Sequence, residues 1–376
     1  MRAKNRGWIR CLTAVLSLLL AGGEASLWPT VASAAPVARR HRTTHRYASA
    51  HSRSRVATTT DPTVGDDAQF DDPVIRQIAV EALGRANGSV VAMDPNTGRV
   101  LSIVNQKMAF SAGFEPCSTI KPVVALAALQ QGVITRDSML PIGRRRYMDL
   151  TEAMAHSNNT FFEEVGKKLG FPTVQHYASL LGLGERAGYD IPEEQPGVVP
   201  AAPPAYGGVA RMSSFGEGIR ITPLQLASLA STLANGGTMY YLQYPRAAQA
   251  GQEFTPRVKR QLDIAPLLPE LREGMLAAVL YGTAKQSYDP EGEQALGKTG
   301  TCNDANLGGR LGWFVSYADQ EHPKIVLVVL LRGSSRRVSG PHAADVAGRI
   351  YHGLREHNYI AVNRPVAVSS AGAGSN

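Results

Sequence analysis

The sequence predicts an α/β domain of the layered α+β kind, with a central, mainly antiparallel sheet, flanking helices and an inserted all-helical subdomain. Three observations support this fold class. A hairpin pattern occurs early, at residues 88–105; three strand-like segments follow one another late, at 294–333; and the chain between 150 and 240 has mostly helical spacing. A sheet assembled from both ends of the chain accounts for this order, whereas a regular alternation of strands and helices is not seen.

The first elements surround the hairpin signal. In "GSVVAMDPNTGRVLSIVN" (88–105), two apolar runs flank Pro-Asn-Thr-Gly, a composition typical of a turn between two strands. The preceding segment "DPVIRQIAVEALGRAN" (72–87) has the apolar spacing of a helix. The segment "CSTIKPVVALAALQQG" (117–132) is largely apolar, which predicts a buried helix that ends at Gly132.

Helices and strands divide the second half of the chain. "TPLQLASLASTLANGG" (222–237) predicts a helix, because Pro223 falls in its first turn and Asn-Gly-Gly ends it. The remaining predicted elements are a helix at 267–282, strands at 294–302, 311–318 and 324–333, and a closing helix at 341–357. We therefore expect the folded domain to span residues 72–360.

The N-terminal segment 1–34 has the pattern of a secretory signal peptide. Basic residues precede an apolar stretch at 11–23, and Ala32-Ser33-Ala34 offers a small-x-small cleavage site. The alternative is an uncleaved membrane anchor, although thirteen residues are short for a bilayer, which needs about 20. In both cases we expect the rest of the chain to be extracytoplasmic.

Residues 35–71 are predicted to form a disordered basic tether, and residues 361–376 a disordered tail. The stretch 35–60 contains six arginines, three histidines and no carboxylate, and lacks the apolar periodicity that a core needs. Residues 1–34 carry a net charge of +3 and residues 35–60 one of +6, so the total of +8 leaves the remaining chain nearly neutral at −1. A nucleic-acid-binding domain carries basic charge on its folded surface, so we expect no nucleic-acid partner.

Ser118-Thr119-Ile120-Lys121 is the first of three short motifs that carry chemistry. A serine and a lysine three positions apart lie on one face of a helix. A lysine held there and partly desolvated loses its proton readily, and can act as the base toward the serine hydroxyl. Alone the pattern is weak, because a helix-capping serine and a surface lysine produce it by chance.

Two further motifs follow in a fixed order. Ser157-Asn158-Asn159 supplies a hydroxyl that could relay a proton and an amide that could hold a substrate backbone. Lys298-Thr299-Gly300-Thr301 supplies a cation, two hydroxyls and a strand edge. Together the three motifs suit a nucleophile that attacks an acyl carbon beside an anionic, peptide-like substrate.

With these motifs the chain resembles the transpeptidase domain of penicillin-binding proteins, in the serine β-lactamase superfamily, over about residues 86–355. "FEPCSTIKP" is similar to the family's E-P-G-S-x-x-K-P segment, "AHSNNTFF" to its S-x-N segment and "GKTGT" to its K-T-G-T strand. The segment 214–237 resembles the family's G-x-G segment with the helix that follows it. The resemblance implies a β-lactamase/transpeptidase-like fold.

The resemblance also implies a role for each motif residue. Ser118 would be acylated by a D-alanyl-D-alanine stem peptide, and Lys121 would be the base for acylation. Ser157 would carry the proton to the leaving amine, and Asn159 would hold the peptide. The backbone N–H groups of Ser118 and Thr301 would form the oxyanion hole. The third motif would bind the terminal carboxylate of the substrate through Lys298, Thr299, Gly300 and Thr301. Lys298 would also be a catalytic group.

The implied function is a serine-type D,D-transpeptidase that cross-links peptidoglycan and is acylated by β-lactam antibiotics, with no metal or organic cofactor. Implied partners are peptidoglycan stem peptides and a glycan-polymerising synthase. Membrane contact would come only through an uncleaved N-terminal segment. A D,D-carboxypeptidase, endopeptidase or β-lactamase shares the acylation step, as does a penicillin-sensing module without catalysis. A hydrolase needs a base aimed at water, and we expect Glu163 and Glu164 on a helix surface instead.

The segment "GEQALGKT" (292–299) also fits the phosphate-binding loop pattern G-x-x-x-x-G-K-[ST]. Such a loop needs a helix directly after it, because the N–H groups at the start of that helix face the phosphate. A strand-like, glycine-rich stretch follows instead. The match therefore predicts no nucleotide site.

Removal of a signal peptide would leave two cysteines, Cys117 and Cys302. Cys117 stands where the family has glycine before its nucleophile, and Cys302 directly follows the third motif. In this family the nucleophile helix starts against the K-T-G strand, and some carbapenem-hydrolysing class A β-lactamases carry a disulfide at the same two offsets. The resemblance therefore implies a Cys117–Cys302 disulfide in an oxidising compartment. The alternative is two small buried thiols that fill space.

Overall fold

The computed structural model describes residues 56–245, 253–292, 294–304, 306–320 and 322–359. The predicted signal peptide, residues 35–55 of the predicted tether and the predicted tail 361–376 lie outside the described residues. No helix in the described ranges is long and apolar enough to cross a membrane.

The strands come from both ends of the chain and leave a helical region between them. In chain order they are β1 (Gly88–Met93), β2 (Val100–Val104), β3 (Leu140–Gly143), β4 (Arg146–Met148), β5 (Thr238–Tyr240), β6 (Val258–Gln261), β7 (Leu296–Asn303), β8 (Arg310–Ala318) and β9 (Ile325–Gly333). The helices are α1 (Pro73–Leu83), α2 (Gln106–Ala109), α3 (Lys121–Gln130), α4 (Leu150–Ala155), α5 (Asn159–Leu169), α6 (Phe171–Leu180), α7 (Gly208–Phe215), α8 (Pro223–Ala234), α9 (Leu268–Leu280) and α10 (Gly340–Glu356).

A five-stranded sheet in the order β2-β1-β9-β8-β7 forms the centre of the domain, and every neighbouring pair is antiparallel. The early hairpin therefore pairs with the last strand of the late group, as the sequence predicts. Strand β7 lies at one edge with β8 as its neighbour in the sheet, so its outer side is left for the helical region.

The two faces of the sheet belong to different cores. Along β9, Val326, Val328 and Leu330 pack in the larger core with α3, α5 and α8. The alternate residues of the same strand, together with Ile75 of α1 and Ile350 of α10, form the smaller core on the opposite face. Successive side chains of a strand point to opposite faces, so an uninterrupted apolar strand such as β9 requires helices on both sides. The predicted layered fold with flanking helices is confirmed.

Two short hairpins were not predicted. β3 pairs with β4, and β5 pairs with β6, each as a separate two-stranded sheet. The β3–β4 pair is largely exposed and carries consecutive arginines at its turn, where Arg145 has φ of +61°. Strands of three or four residues are too short to establish the alternation on which a strand prediction depends.

Residues 56–71 correct the predicted boundary of the tether. Thr59 forms an antiparallel bridge with Ala86, and the Thr60 N–H donates to the Arg85 carbonyl at 2.9 Å. Asp66 accepts hydrogen bonds from two backbone N–H groups at the start of α2, at 2.8 and 2.9 Å, and its carboxylate pairs with Arg76 at 2.7 Å. The prediction of disorder depended on the composition of the arginine-rich stretch. The residues that bind Asp66 are distant from it in the sequence and come close to it only in the tertiary structure.

Asp66→Ala is expected to lower the free energy of unfolding by about 2–4 kcal/mol, because it leaves two backbone N–H groups without their acceptor and removes one of the two carboxylates that pair with Arg76. Asp67→Ala is the matched control: its carboxylate caps one exposed turn at Gln69, so a change within about 0.5 kcal/mol is expected. Urea denaturation of the two variants measures both values. Equal losses would contradict the role given to Asp66.

Candidate active site

The Ser118 motif forms a tight turn rather than the first turn of a regular helix. Residues Cys117–Ile120 are a 3₁₀ turn that runs directly into α3 at Lys121. The Thr119 hydroxyl donates to the Pro116 carbonyl at 2.7 Å and closes the turn. In 3₁₀ geometry residues three apart are nearly eclipsed, so Ser118 and Lys121 lie on the same side, as their spacing predicts.

Lys121 is fully buried and its amine is held by polar groups. Its Nζ donates to the Ser157 carbonyl at 2.6 Å and to Asn159 Oδ1 at 2.7 Å, and lies 3.1 Å from Ser157 Oγ. The amine also lies 5.3 Å from the centre of the Phe162 ring. Burial and, second, the charge of Lys298 hold the pKa of Lys121 well below its usual value. A lysine in this environment is readily neutral, as a base must be.

The Ser118 hydroxyl is directed away from that amine. It donates to the Ser214 carbonyl at 3.5 Å, the long limit of a hydrogen bond, and no Ser118–Lys121 hydrogen bond occurs in the described chain. The two residues predicted as nucleophile and base are therefore neighbours without a direct bond in this state. A proton transfer between them would require the Ser118 hydroxyl to leave its hydrogen bond with Ser214.

Ser157 lies between two buried lysines. It occupies the break between α4 and α5 with φ of +54°. Its Oγ accepts from Lys298 Nζ at 2.8 Å and from Lys121 Nζ at 3.1 Å. A hydroxyl has two acceptor lone pairs and one proton, so with both lone pairs used its O–H can donate into the cleft. This geometry suits a hydroxyl that passes protons.

Lys298 enters the site from β7 and is also fully buried. Besides Ser157, its amine donates to the Thr299 carbonyl at 3.0 Å. Burial lowers the pKa of Lys298 to about 7. Near neutral pH a small change in its surroundings therefore decides whether this group is an ammonium or an amine.

The other residues of the third motif divide between the two faces of β7. A Cβ at Gly300 would lie 3.0 Å from the Pro116 carbonyl oxygen, so a side chain there would collide with the nucleophile turn. The Thr301 hydroxyl accepts from the Gly340 N–H at 2.7 Å, while the Thr299 hydroxyl is 2.6 Å from that of Thr283. Thr283 follows α9 and belongs to no motif, so the sequence did not predict its contact with Thr299.

The predicted disulfide between Cys117 and Cys302 is present, with the two Cα atoms 5.6 Å apart. It joins the residue before Ser118 to the residue after Thr301. Ser118 and Thr301, whose N–H groups were predicted as oxyanion donors, therefore flank one covalent link. Cys117 has φ of +52°, a left-handed conformation that explains why glycine is the family's residue at this position.

Glu163 corrects one of the sequence predictions. Glu164 is partly exposed and pairs with Lys167, as expected for a helix surface. Glu163 instead accepts a hydrogen bond from the Ser214 hydroxyl at 3.2 Å, on the side of α5 that faces the nucleophile. Helical spacing placed both glutamates on one helix, but only packing against α7 decides which of them faces inward.

Metal and phosphate sites receive no support from the described residues. Within those ranges no group of three or more His, Cys, Asp or Glu side chains is placed to hold a metal ion. Lys298 and Thr299, the end of the phosphate-loop pattern, lie inside β7 and are followed by β8. The helix N-terminus that such a loop needs is therefore missing at this point.

The disulfide and the left-handed turn predict a specific order of stabilities. Cys117→Ser with Cys302→Ser is expected to lower the free energy of unfolding by up to about 5 kcal/mol in the chain-entropy model. Cys117→Gly with Cys302→Ser should lose about 1 kcal/mol less, because glycine adopts this φ without the Cβ penalty. Denaturant unfolding of both double variants tests the order. A glycine variant less stable than the serine variant would contradict it.

Comparison with known proteins agrees with this geometry. Residues 88–352 match the family described as penicillin binding protein transpeptidase domain. The chain is 24% identical over 308 residues to stage V sporulation protein D of Bacillus subtilis, covering 69% of this chain and 48% of that protein. It is 25% identical over 369 residues to the peptidoglycan D,D-transpeptidase MrdA of Acinetobacter baumannii, covering 77% of this chain and 54% of that protein.

Among solved structures, the chain is similar to the apo transpeptidase domain of Burkholderia pseudomallei penicillin-binding protein 3. The TM-score is 0.66 at 22% identity, over 80% of this chain and 100% of that one, and shows a shared fold. The chain spans about half the length of the curated relatives described above. The family match covers most of the chain and contains all three motifs, so the protein belongs to the penicillin-binding protein transpeptidase domain family.

Proposed function

We propose that the protein is an acyl-serine D,D-transpeptidase that cross-links peptidoglycan stem peptides and is acylated by β-lactam antibiotics. The observation that carries the proposal is the fully buried Lys121 amine beside Ser118, with its pKa held well below the usual value. An amine of this kind can take a serine proton near neutral pH. The similarity to MrdA, named a peptidoglycan D,D-transpeptidase, supports the same activity.

Acylation follows from the contacts of the cleft. The Ser118 hydroxyl turns from Ser214, its O–H bond breaks and the proton passes to the Lys121 lone pair. Ser118 Oγ forms a bond to the carbonyl carbon between the two D-alanines, and the carbonyl oxygen becomes an oxyanion. The backbone N–H groups of Ser118 and Thr301 are the proposed donors to it, a contribution of about 3–4 kcal/mol per donor in such enzymes.

Collapse of this intermediate needs a proton at the leaving nitrogen. The C–N bond breaks, and Ser157 donates its proton to the departing D-alanine while it accepts one from Lys121. The charged form of Lys298 attracts the terminal carboxylate of the substrate, and the Thr299 and Thr301 hydroxyls are the proposed further donors to it. Asn159 directs its Oδ1 to Lys121, which leaves its NH₂ group to hold the peptide.

The second half of the reaction distinguishes a transpeptidase from a hydrolase. An amine from a second stem peptide attacks the acyl carbon, and the ester bond to Ser118 breaks as the new amide bond forms. The attacking amine gives up a proton to Ser157, which passes one to Lys121, and Ser118 then regains a proton from Lys121 by the reverse of the first step. Water in place of the amine would give a carboxypeptidase, an endopeptidase or, with a β-lactam, a β-lactamase.

Location and partners are part of the proposal. Relatives named for peptidoglycan transpeptidation act on an extracytoplasmic polymer, and the N-terminal segment 1–34 would carry this domain there as a cleaved signal or an anchor. Contact with the membrane would come only through that segment if it stays uncleaved. A glycan-polymerising synthase would supply the strands that are cross-linked.

A labelled penicillin tests the acylation step. The purified protein is expected to form a stable covalent adduct on Ser118, and Ser118→Ala should form none, because the nucleophilic oxygen is absent. Mass spectrometry of tryptic peptides locates the adduct, and a chromogenic cephalosporin reports turnover. Rapid turnover of the cephalosporin would contradict a transpeptidase and indicate a β-lactamase. If D-alanine is released but an added amine is not joined to the acyl group in a new peptide, the protein is a carboxypeptidase.

The charge state of Lys298 predicts how the rate of penicillin acylation depends on pH. Its pKa of about 7 means that the ammonium is present below pH 7 and is lost above it. The second-order rate constant for penicillin acylation reports groups of the free enzyme, and should fall roughly tenfold per pH unit well above 7, as the charged fraction does. The arginine of Lys298→Arg stays charged, so the acylation rate constant of this variant should not fall above pH 7, whatever its absolute value. An unchanged fall in that variant would exclude Lys298 as its cause.

A further inference from the structure

The carboxylate of Glu163 lies behind the nucleophile, at a place that the three motifs do not include. Glu163 follows Asn159 by one turn of α5, so the two residues share a face of the helix. The Ser214 hydroxyl donates to Glu163 Oε1 at 3.2 Å, and the Ser214 carbonyl accepts from the Ser118 hydroxyl at 3.5 Å. One fully buried residue of α7 thus connects the carboxylate to the nucleophile.

Two charged side chains of the described residues act on the Lys121 amine, with opposite signs. Lys298, from β7, disfavours the ammonium form of Lys121, in the same direction as burial. Glu163, from α5, favours it and raises the pKa of Lys121. The other charged groups along α5 and α7 are paired elsewhere or exposed. Lys167 pairs with Glu164, Arg211 pairs with Glu217, and Lys168 is exposed to solvent.

We propose that Glu163 is a positioning residue for acylation, whose carboxylate stabilises the ammonium that Lys121 becomes when it takes the proton of Ser118. This inference rests on the proposed function. In that step the Ser118 O–H bond breaks, the Oγ–carbon bond forms and a positive charge appears at a fully buried nitrogen. A buried charge without an opposing partner is costly, and Lys298 adds to that cost. Glu163 acts through Lys121 and touches neither the substrate nor the reacting atoms.

A packing role for Glu163 makes a different prediction. The carboxylate could serve only as the acceptor that holds the Ser214 hydroxyl and so fixes α7 against the nucleophile turn. Glu163→Gln separates the two roles, because its amide oxygen still accepts from Ser214 while the negative charge is removed. Glu163→Asp keeps the charge on a shorter side chain. Glu164→Gln removes a charge from the neighbouring position, on the outer side of the same helix.

The test measures penicillin acylation of the whole protein between pH 5 and 9. Glu163→Gln is expected to lower the plateau rate constant about tenfold, because a base with a lower pKa is a weaker proton acceptor. The rising limb of the pH–rate profile of this variant should move to lower pH, because Lys121 stays neutral in more acidic solution when the Glu163 carboxylate is absent. Glu163→Asp should recover most of the rate, and Glu164→Gln should stay within about twofold of the unsubstituted protein.

Three outcomes would overturn the inference. One is a Glu163→Gln pH–rate profile that matches that of the unsubstituted protein in both rate and rising limb. A second is a rate loss without a shift of the limb, equal to that of Ser214→Ala, which would assign Glu163 to packing. The third is a longer-lived acyl-enzyme confined to Glu163→Gln, which would point to activation of water. An unsubstituted protein that forms no adduct would contradict the proposed function instead.

Discussion

Two lysine amines without solvent exposure share one serine hydroxyl, and the rest of the site is arranged around that burial. An ammonium in a dry site is costly, so burial shifts both lysines toward their neutral forms. That shift suits Lys121 to the proposed role of base, and it brings the pKa of Lys298 to about 7. Neither lysine could be buried by a single layer of structure. Lys298 comes from the edge of the sheet, and Lys121 from the helical side.

The fold supplies both walls of this cleft. Strand β7 can present Lys298 because its outer edge is free of a further strand in the described sheet. The helical side contributes the turn before α3 and the break before α5. Each of these holds a non-glycine residue in the left-handed region, Cys117 and Ser157. Such conformations cost of order 1–3 kcal/mol, and each is held here by a tertiary contact: the disulfide to Cys302 and the bond from Lys121 to the Ser157 carbonyl.

Much of the fold could be predicted from local patterns. The late strands and the closing helix have boundaries within about two residues of those predicted, a normal difference between assignments, because long apolar runs and clear stop signals mark them. The resemblance to the family supplied what no pattern could, the pairing of Cys117 with Cys302. The two small hairpins and the packed segment 56–71 were missed. The strands of the hairpins are too short to show a pattern, and the hydrogen-bond partners of segment 56–71 are remote in sequence.

The sequence by itself determined the kinds of elements, their order and the three motifs to which we assign the chemistry. Only the tertiary structure decided how those groups interact. The lysines that meet at Ser157 lie 36 and 141 positions from it in the chain, and their pKa shifts come from burial that no short segment can produce. The structure likewise bonds Glu163 to Ser214 of α7 and pairs Glu164 with Lys167 of its own helix, although the two glutamates are neighbours in the sequence. Spacing assigns residues to a helix, whereas packing determines which of its faces is buried and which charges act on the site.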